Sequence, residues 1–441
     1  MTGKCFRRFI FATIAALYLS NCQANSLDNA EPAHDLYWPV LENPAPTNQF
    51  TQLGLASLKS RMEKFVIDGH VAGISTLLVH DGQVIQYNSF GITNPDTQQP
   101  VSQDTIFRIY SMTKPVTSVA MMILYEDGEF ELNDPITKFI PEFNNLKVLA
   151  SDGSGLIEMN RPPTLREVMS NMAGFAYGLV GTDQANSALR ERKILRSPDL
   201  DTFIQETSQI PLLFQPGTYW SYSISADIQG AVIERISGQT LDEFFEERIF
   251  RPLNMDDTGF FVPENQYHRF SDVFSYDPQT LELRPDRNSE VAFKKETIAM
   301  MSGGGGLVST MDDYARFCQM LANGGSLSGT RILKPKTVRL MRRNVLPDDL
   351  NLNMTGHLSE KQVAGMGFGL NFGVIYDAEA SPTPYGKNTF FWGGKAGTWF
   401  WIDPENDLFF IGMIQRFSQN GPRIVFRDIS SDYVYRAMQS R

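Results

Sequence analysis

Apolar and polar positions alternate along this chain in two different rhythms. Residues 53–66 space their apolar side chains three and four apart, which predicts a short amphipathic helix. Residues 73–79 and 83–90 are rich in β-branched and aromatic side chains. His80-Asp81-Gly82 between them is a hairpin signal, so two paired strands are expected. Residues 116–125 are apolar at nearly every step, as in a buried helix, and the run stops at Asp127-Gly128. The middle of the chain is loop-rich. Asp134-Pro135-Ile136 and Pro162-Pro163-Thr164 mark turns before short helices, and helical spacing resumes at 201–209, 226–236, 240–249 and 310–321. Strand pattern returns at 368–376, 389–392, 398–402 and 408–414, with a turn at Asp403-Pro404-Glu405-Asn406-Asp407. A last amphipathic helix is expected over 425–438. Strands at both ends around a helical middle predict an α+β fold. One central antiparallel β-sheet is built from both chain ends, with flanking helices and a mostly helical insertion. The domain is expected to span 51–441, its sheet region about 51–110 and 300–441, its helical region about 111–300.

The first residues break this pattern. Lys4, Arg7 and Arg8 precede an apolar run from 9 to 19, too short to span a bilayer. An export signal over 1–24 is expected, cleaved after Ala24 in Cys22-Gln23-Ala24. The alternative is acylation at Cys22 in Leu19-Ser20-Asn21-Cys22, the one route to membrane attachment. Residues 25–50, broken by Pro32, Pro39, Pro44 and Pro46, read as an arm or linker. The exported protein would be periplasmic or secreted. Cys318 is the one cysteine beyond the leader, so no intramolecular disulfide is expected in the body. A formal charge of −11 argues against nucleic acid as a partner. The five histidines show no metal-site spacing, so no metal or cofactor is expected.

Three stretches carry candidate chemistry. Ser111-Met112-Thr113-Lys114 opens the buried helix at 116–125 after the apolar segment Phe107-Arg108-Ile109-Tyr110. Ser111 falls near a helix N-terminus, with Lys114 one turn on along the same face. A buried lysine of depressed pKa can help remove the serine proton; an N-capping serine beside a solvated lysine fits the same four residues. Pro216-Gly217-Thr218-Tyr219-Trp220-Ser221-Tyr222-Ser223 places tyrosines on an aromatic loop, as core anchors or as a base near cations. Phe391-Trp392-Gly393-Gly394-Lys395-Ala396-Gly397 is a glycine-bearing strand, either bulged or open to a close ligand. The run Ser302-Gly303-Gly304-Gly305-Gly306 lacks the pattern of a phosphate-binding loop and suits close backbone packing.

In this order and spacing the three stretches resemble the serine β-lactamase and penicillin-binding protein superfamily, with the nearest likeness to class C-like family VIII carboxylesterases. Ser111-Met112-Thr113-Lys114 matches S-x-x-K, Tyr222-Ser223 the tyrosine motif, and Trp392-Gly393-Gly394 stands where β-lactamases carry K-T-G. The resemblance implies an acyl-enzyme on Ser111, with Lys114 and Tyr222 moving protons. It implies an oxyanion hole from the backbone N–H groups of Ser111 and Lys395, and a substrate site at Trp392, Gly393, Gly394 and Ile224. Ile224 replaces the asparagine that contacts an acyl amide, and Trp392-Gly393 remove a cation and a hydroxyl. Both changes favour a small-molecule carboxylic ester as substrate. The same superfamily also contains D,D-peptidases, amidases and β-lactamases acting on peptidoglycan-like substrates. Acyl transfer, or an inactive binding role, completes the alternatives.

Overall fold

Asp81 and Gly82 both adopt left-handed backbone, with φ of 50° and 67°. A two-residue hairpin turn of that hand matches the twist of the strands it joins. It joins β1 (Gly73–His80) to β2 (Gln83–Asn94) in antiparallel register. The computed structural model that shows this describes Pro39 and residues 48–439, except 180, 290–292, 348, 349 and 351–362. The leader expected at 1–24, and nearly all of the arm at 25–50, lie outside the described residues.

The main sheet is completed by β3 (Gln99–Pro100) and five strands from the far end of the chain. These are β4 (Met366–Phe368), β5 (Gly373–Ile375), β6 (Phe390–Gly393), β7 (Trp399–Asp403) and β8 (Leu408–Met413). Their order is β4-β5-β6-β7-β8-β1-β2-β3, antiparallel at every pairing. The two chain ends meet where β1 pairs with β8, Ser75 opposite Met413 and His80 opposite Leu408. The expected single strand at 368–376 is instead the hairpin β4–β5. Asn371 turns left-handed at φ 63° and the Gly369 N–H donates to the Phe372 carbonyl, so the aromatic run folds back on itself.

Helices α1 (Gln52–Ile67) and α5 (Phe426–Ala437) pack together against one face of the sheet; α4 (Met311–Ala322) packs against β1 and β8. Trp401, fully buried, stacks on Phe410 and on Tyr435 of α5. Burying each such ring stabilises the fold by about 2–3 kcal/mol. Between the two halves of the sheet the chain forms α2 (Thr113–Asp127), α3 (Ser225–Ser237) and several shorter helices. This region is less helical than its spacing predicts. It includes the small hairpins Lys147–Leu149 with Leu156–Glu158 and Phe274–Tyr276 with Leu283–Pro285, and several 3-10 turns. Among the described residues no helix is long and apolar enough to cross a membrane.

Candidate active site

Phe107–Arg108 pairs with Val308–Ser309, which brings the approach to Ser111 alongside the end of the glycine run. Tyr110 is left-handed at φ 43°, and Tyr110–Met112 form a 3-10 turn that runs directly into α2. Ser111 therefore sits just before the helix, partly exposed, and Lys114 lies in its first turn, almost fully buried. Lys114 Nζ donates to Ser111 Oγ at 3.2 Å, to the Tyr177 hydroxyl at 3.2 Å and to the Gly304 carbonyl at 2.5 Å. Three acceptors match the three protons of an ammonium. The Tyr222 hydroxyl donates to Ser111 Oγ at 2.8 Å. Ser111, Lys114 and Tyr222 are thus brought together as their motifs predict.

The expected depression of the Lys114 pKa is not found. Burial alone pushes the ammonium toward its neutral form, but Tyr177, Tyr222 and Asp227 face it and together raise its pKa above the ordinary lysine value. Lys114 is a standing positive charge, 4.7 Å from the Tyr222 ring centroid and 5.1 Å from that of Tyr177. Burial pushes the Tyr177 phenol up to about 12 against the pull of Lys114, so it is a neutral hydrogen-bonding group near pH 7.

The glycine run explains how a buried cation is held. Asp227, buried in α3, accepts from the Ser302 hydroxyl at 2.5 Å and the Gly304 N–H at 3.0 Å. Burial raises its pKa, with the Lys114 charge opposing. Thr117 donates to the Gly303 carbonyl at 2.7 Å and Leu307 N–H to Thr113 at 3.1 Å. The run is thereby clamped between α2 and α3 with the Gly304 carbonyl aimed at Lys114. A side chain at Gly303 would stand 2.5 Å from the Ala226 carbonyl, and one at Gly304 would collide with Asp227. The packing expected of these glycines is confirmed, and its effect is to position Lys114.

The opposite wall is β6. The register of β5 on β6 ends at Phe391, so Trp392 and Gly393 continue past its partner into the cleft. Gly394 fits because a side chain there would run into the Ile109 carbonyl and Thr398. Trp392 packs edge-on to Phe368 at 5.4 Å between centroids and against Tyr222 at 5.6 Å. Its indole N–H has no protein partner among the described residues. Ser111, Tyr222, Trp392, Gly393, Gly394 and Lys395 line one mostly apolar pocket of about 390 Å³, together with Leu179, Val363, Met366, Phe391 and Arg427. The Lys395 ammonium rests 4.9 Å from the Phe417 ring centroid, and Arg427 stacks 3.9 Å from that of Phe391.

Ile224 is not part of this pocket. It is 1% exposed, in the core at the start of α3, and its N–H donates to the Ala176 carbonyl. The helix expected from 226 begins at Ser225, and counting two residues on from Tyr222 does not anticipate that Ile224 at its N-cap turns inward. Tyr177 and Asp227 belong to no motif, and the glycine run that holds Gly304 signals packing but not its contact with Lys114. The one available signal is Asp227, the single charged residue in the run 226–233. Among the described residues no cluster of His, Cys, Asp or Glu can hold a metal.

The arrangement pairs a serine hydroxyl with a fixed cation, a phenol and an apolar recess, a layout that supports acyl transfer. Comparison with known proteins agrees. Esterase EstB of Burkholderia gladioli is 28% identical over 368 residues, covering 79% of this chain and 88% of that one. EstCE1, described as a hydrolase with promiscuous acyltransferase activity, superposes with a TM-score of 0.72 at 25% identity, over 87% of this chain and 99% of that one. Protein Rv1367c of Mycobacterium tuberculosis is 34% identical over 354 residues, 79% of this chain and 86% of that one. Residues 58–428 match the sequence profile described as beta-lactamase, and the chain belongs to the beta-lactamase family of serine hydrolases.

Proposed function

We propose that this chain is an exported carboxylesterase working through an acyl-enzyme on Ser111. The observation that carries it is the convergence of Lys114 Nζ and the Tyr222 hydroxyl on Ser111 Oγ, at 3.2 Å and 2.8 Å, in a mostly apolar pocket. Lys114, a fixed cation, lies 4.7 Å from the Tyr222 ring centroid. Tyr222 acts in its phenolate form, taking the Ser111 proton as Oγ attacks the ester carbonyl carbon. The carbonyl oxygen becomes an oxyanion held by the Ser111 and Lys395 N–H groups, and Tyr222 returns the proton to the departing alcohol. Water then repeats the sequence on the acyl-enzyme, releasing the acid and free Ser111. An acceptor alcohol in place of water would make the same intermediate a transferase, the activity named for EstCE1.

An ester needs only these groups and an apolar recess. A β-lactam also needs a donor for its side-chain amide, and the lining around Ser111 is mostly apolar, with Val363, Met366, Phe391 and Trp392. Each lost hydrogen bond costs about 1–3 kcal/mol, roughly ten- to a hundredfold in rate. Short-chain aryl esters should therefore be turned over, and a chromogenic cephalosporin weakly or not at all. An irreversible fluorophosphonate should add its mass to Ser111 of the wild type and not to Ser111→Ala. Full ester hydrolysis by Ser111→Ala, or cephalosporin turnover matching that of esters, would defeat the proposal. N-terminal sequencing of secreted material tests export: a start at Asn25 or a lipidated Cys22 is expected, and retained Met1 would contradict it.

A further inference from the structure

Leu179 lines two pockets, the one that holds Ser111 and a second, also of about 390 Å³. Tyr177 stands at the junction. Its hydroxyl accepts from Lys114, and the same residue lines the second pocket. Besides Gly178 the rest of that pocket is leucine and cation, with Arg190, Lys193 and Arg196 around Leu195.

The chain places these three cations deliberately close. The helix Gln184–Glu191 ends, Lys193 turns left-handed at φ 52°, and a 3-10 turn over Ile194–Arg196 folds the backbone back. Residues 190, 193 and 196 then face one recess. Arg190 is held by the Gly178 carbonyl at 3.3 Å and by Ser187 Oγ at 3.2 Å. Arg192, between them in sequence, instead pairs with Glu206 at 2.9 Å. No carboxylate of the described residues pairs with Arg190, Lys193 or Arg196. The protein as a whole carries −11, so a recess of unpaired positive charge beside its candidate active site runs against the prevailing sign. Like charges gathered this way repel one another, and an anionic ligand relieves that repulsion and is steered to this spot from an otherwise repelling surface.

We infer that the ester substrate carries an oxyanion, a carboxylate or a phosphate-type group, one pocket away from its scissile bond, and that Arg190, Lys193 and Arg196 receive it. The inference rests on the acyl-enzyme chemistry proposed above and adds the substrate class. The apolar body lies against Trp392 and Leu179, and the charged end lies beyond Tyr177. Planar guanidinium forks suit both carboxylate and phosphate oxygens.

The test compares matched chromogenic esters at low ionic strength. 4-Nitrophenyl butyrate is neutral; mono-4-nitrophenyl suberate carries a carboxylate on the acyl side, its phosphonate analogue a phosphate-type group, and 3-carboxy-4-nitrophenyl butyrate a carboxylate on the alcohol side. At least one anionic ester should exceed the neutral ester in kcat/KM by about tenfold, and 0.5 M NaCl should erase most of that preference. In Arg190→Gln/Lys193→Gln/Arg196→Gln the anionic-to-neutral ratio should fall about tenfold; should that protein fail to fold, the single exposed change Lys193→Gln reads the same ratio. A ratio unchanged by these variants overturns the inference. If the wild type hydrolyses none of the esters, the esterase proposal fails while this inference is still decided by calorimetry. Suberate and octanephosphonate should bind Ser111→Ala and lose that binding when the three cations are removed. Equal binding with and without the cations, or no binding to either protein, overturns it.

Discussion

The two walls around Ser111 are built on opposite plans. The helical wall is polar and saturated: Lys114 spends its protons on Ser111, Tyr177 and Gly304, and Asp227 anchors the glycine run behind it. The sheet wall is mostly apolar, a strand end of tryptophan and glycine whose indole N–H has no protein partner among the described residues. A buried charge must be fully partnered, so the helical wall tolerates little change. A glycine-lined strand end imposes shape and leaves the bonding to the ligand. Reactivity and selectivity are therefore expected to be separable, the first set by α2 and α3 and the second by β6 and the recess beyond Tyr177.

The sharpest way to break this division is at the helical wall. Tyr222→Phe removes one hydroxyl and leaves the ring contacts with Trp392 and Trp220 in place. Ester kcat should drop by about 10³-fold or more with the melting temperature nearly unchanged, as steady-state kinetics and calorimetry would show. A drop under tenfold would remove Tyr222 from proton transfer. Asp227→Asn acts one step further back. The Gly304 N–H keeps an acceptor, but the negative charge facing Lys114 is lost. The Lys114 pKa should fall, and kcat should decline about ten- to a hundredfold with KM little altered, because the group acts through Gly304 and Lys114 rather than on substrate. An unchanged kcat and pH profile would make Asp227 purely structural.

At the sheet wall the expected signature reverses. Trp392→Ala should raise KM for esters with bulky acyl groups more than it lowers kcat, and should cost about 3–5 kcal/mol in unfolding titrations through the emptied aromatic cluster. Ile224→Asn sharpens the comparison from a third side. If Ile224 faced substrate, asparagine there would improve β-lactam turnover. Because it is core, the substitution should leave cephalosporin turnover flat and destabilise the protein by about 1–3 kcal/mol, measured by denaturant unfolding.

These tests also mark how far the sequence could be read. The chain-end sheet and the helices at 52–67, 225–237 and 311–322 follow from local periodicity and caps, such as Thr310 accepting from the Asp313 N–H. Ser111, Lys114 and Tyr222 follow from motifs. What failed were relations across the chain. The Lys114 pKa depends on Asp227 and Tyr177, 113 and 63 residues away, neither of which any spacing ties to it. Ile224 failed because a helix expected from 226 does not say which way the residue just before it points, and 368–376 because the Gly369-Leu370-Asn371 turn lies inside an apolar run.

A last effect, on stability alone, lies away from both walls. Asp313 is buried at the start of α4, and burial raises its carboxyl to about 7, with Thr258 and the Asp257 N–H opposing. The folded state then binds a proton that the unfolded chain releases near pH 4, so this group's contribution is complete below about pH 4 and is lost as pH rises through about 7. Asp313→Asn should flatten the decline in melting temperature between those values. A slope identical to that of the wild type would show the carboxyl ionised throughout.

The seam between β1 and β8 sets a schedule as well as a shape. Strand β1 finds its inner neighbour only when residues 408–413 exist, and the ends are stitched again where Thr51 N–H meets the Ala437 carbonyl and Gln439 N–H the Gln49 carbonyl. A ribosome making this chain in order holds the serine, lysine and tyrosine long before it supplies the strand that closes the sheet beneath them. Contacts of such long range form late and slowly. The growing chain therefore stays unfinished, and its hydrolytic machinery unassembled, until residues 408–439 have been made.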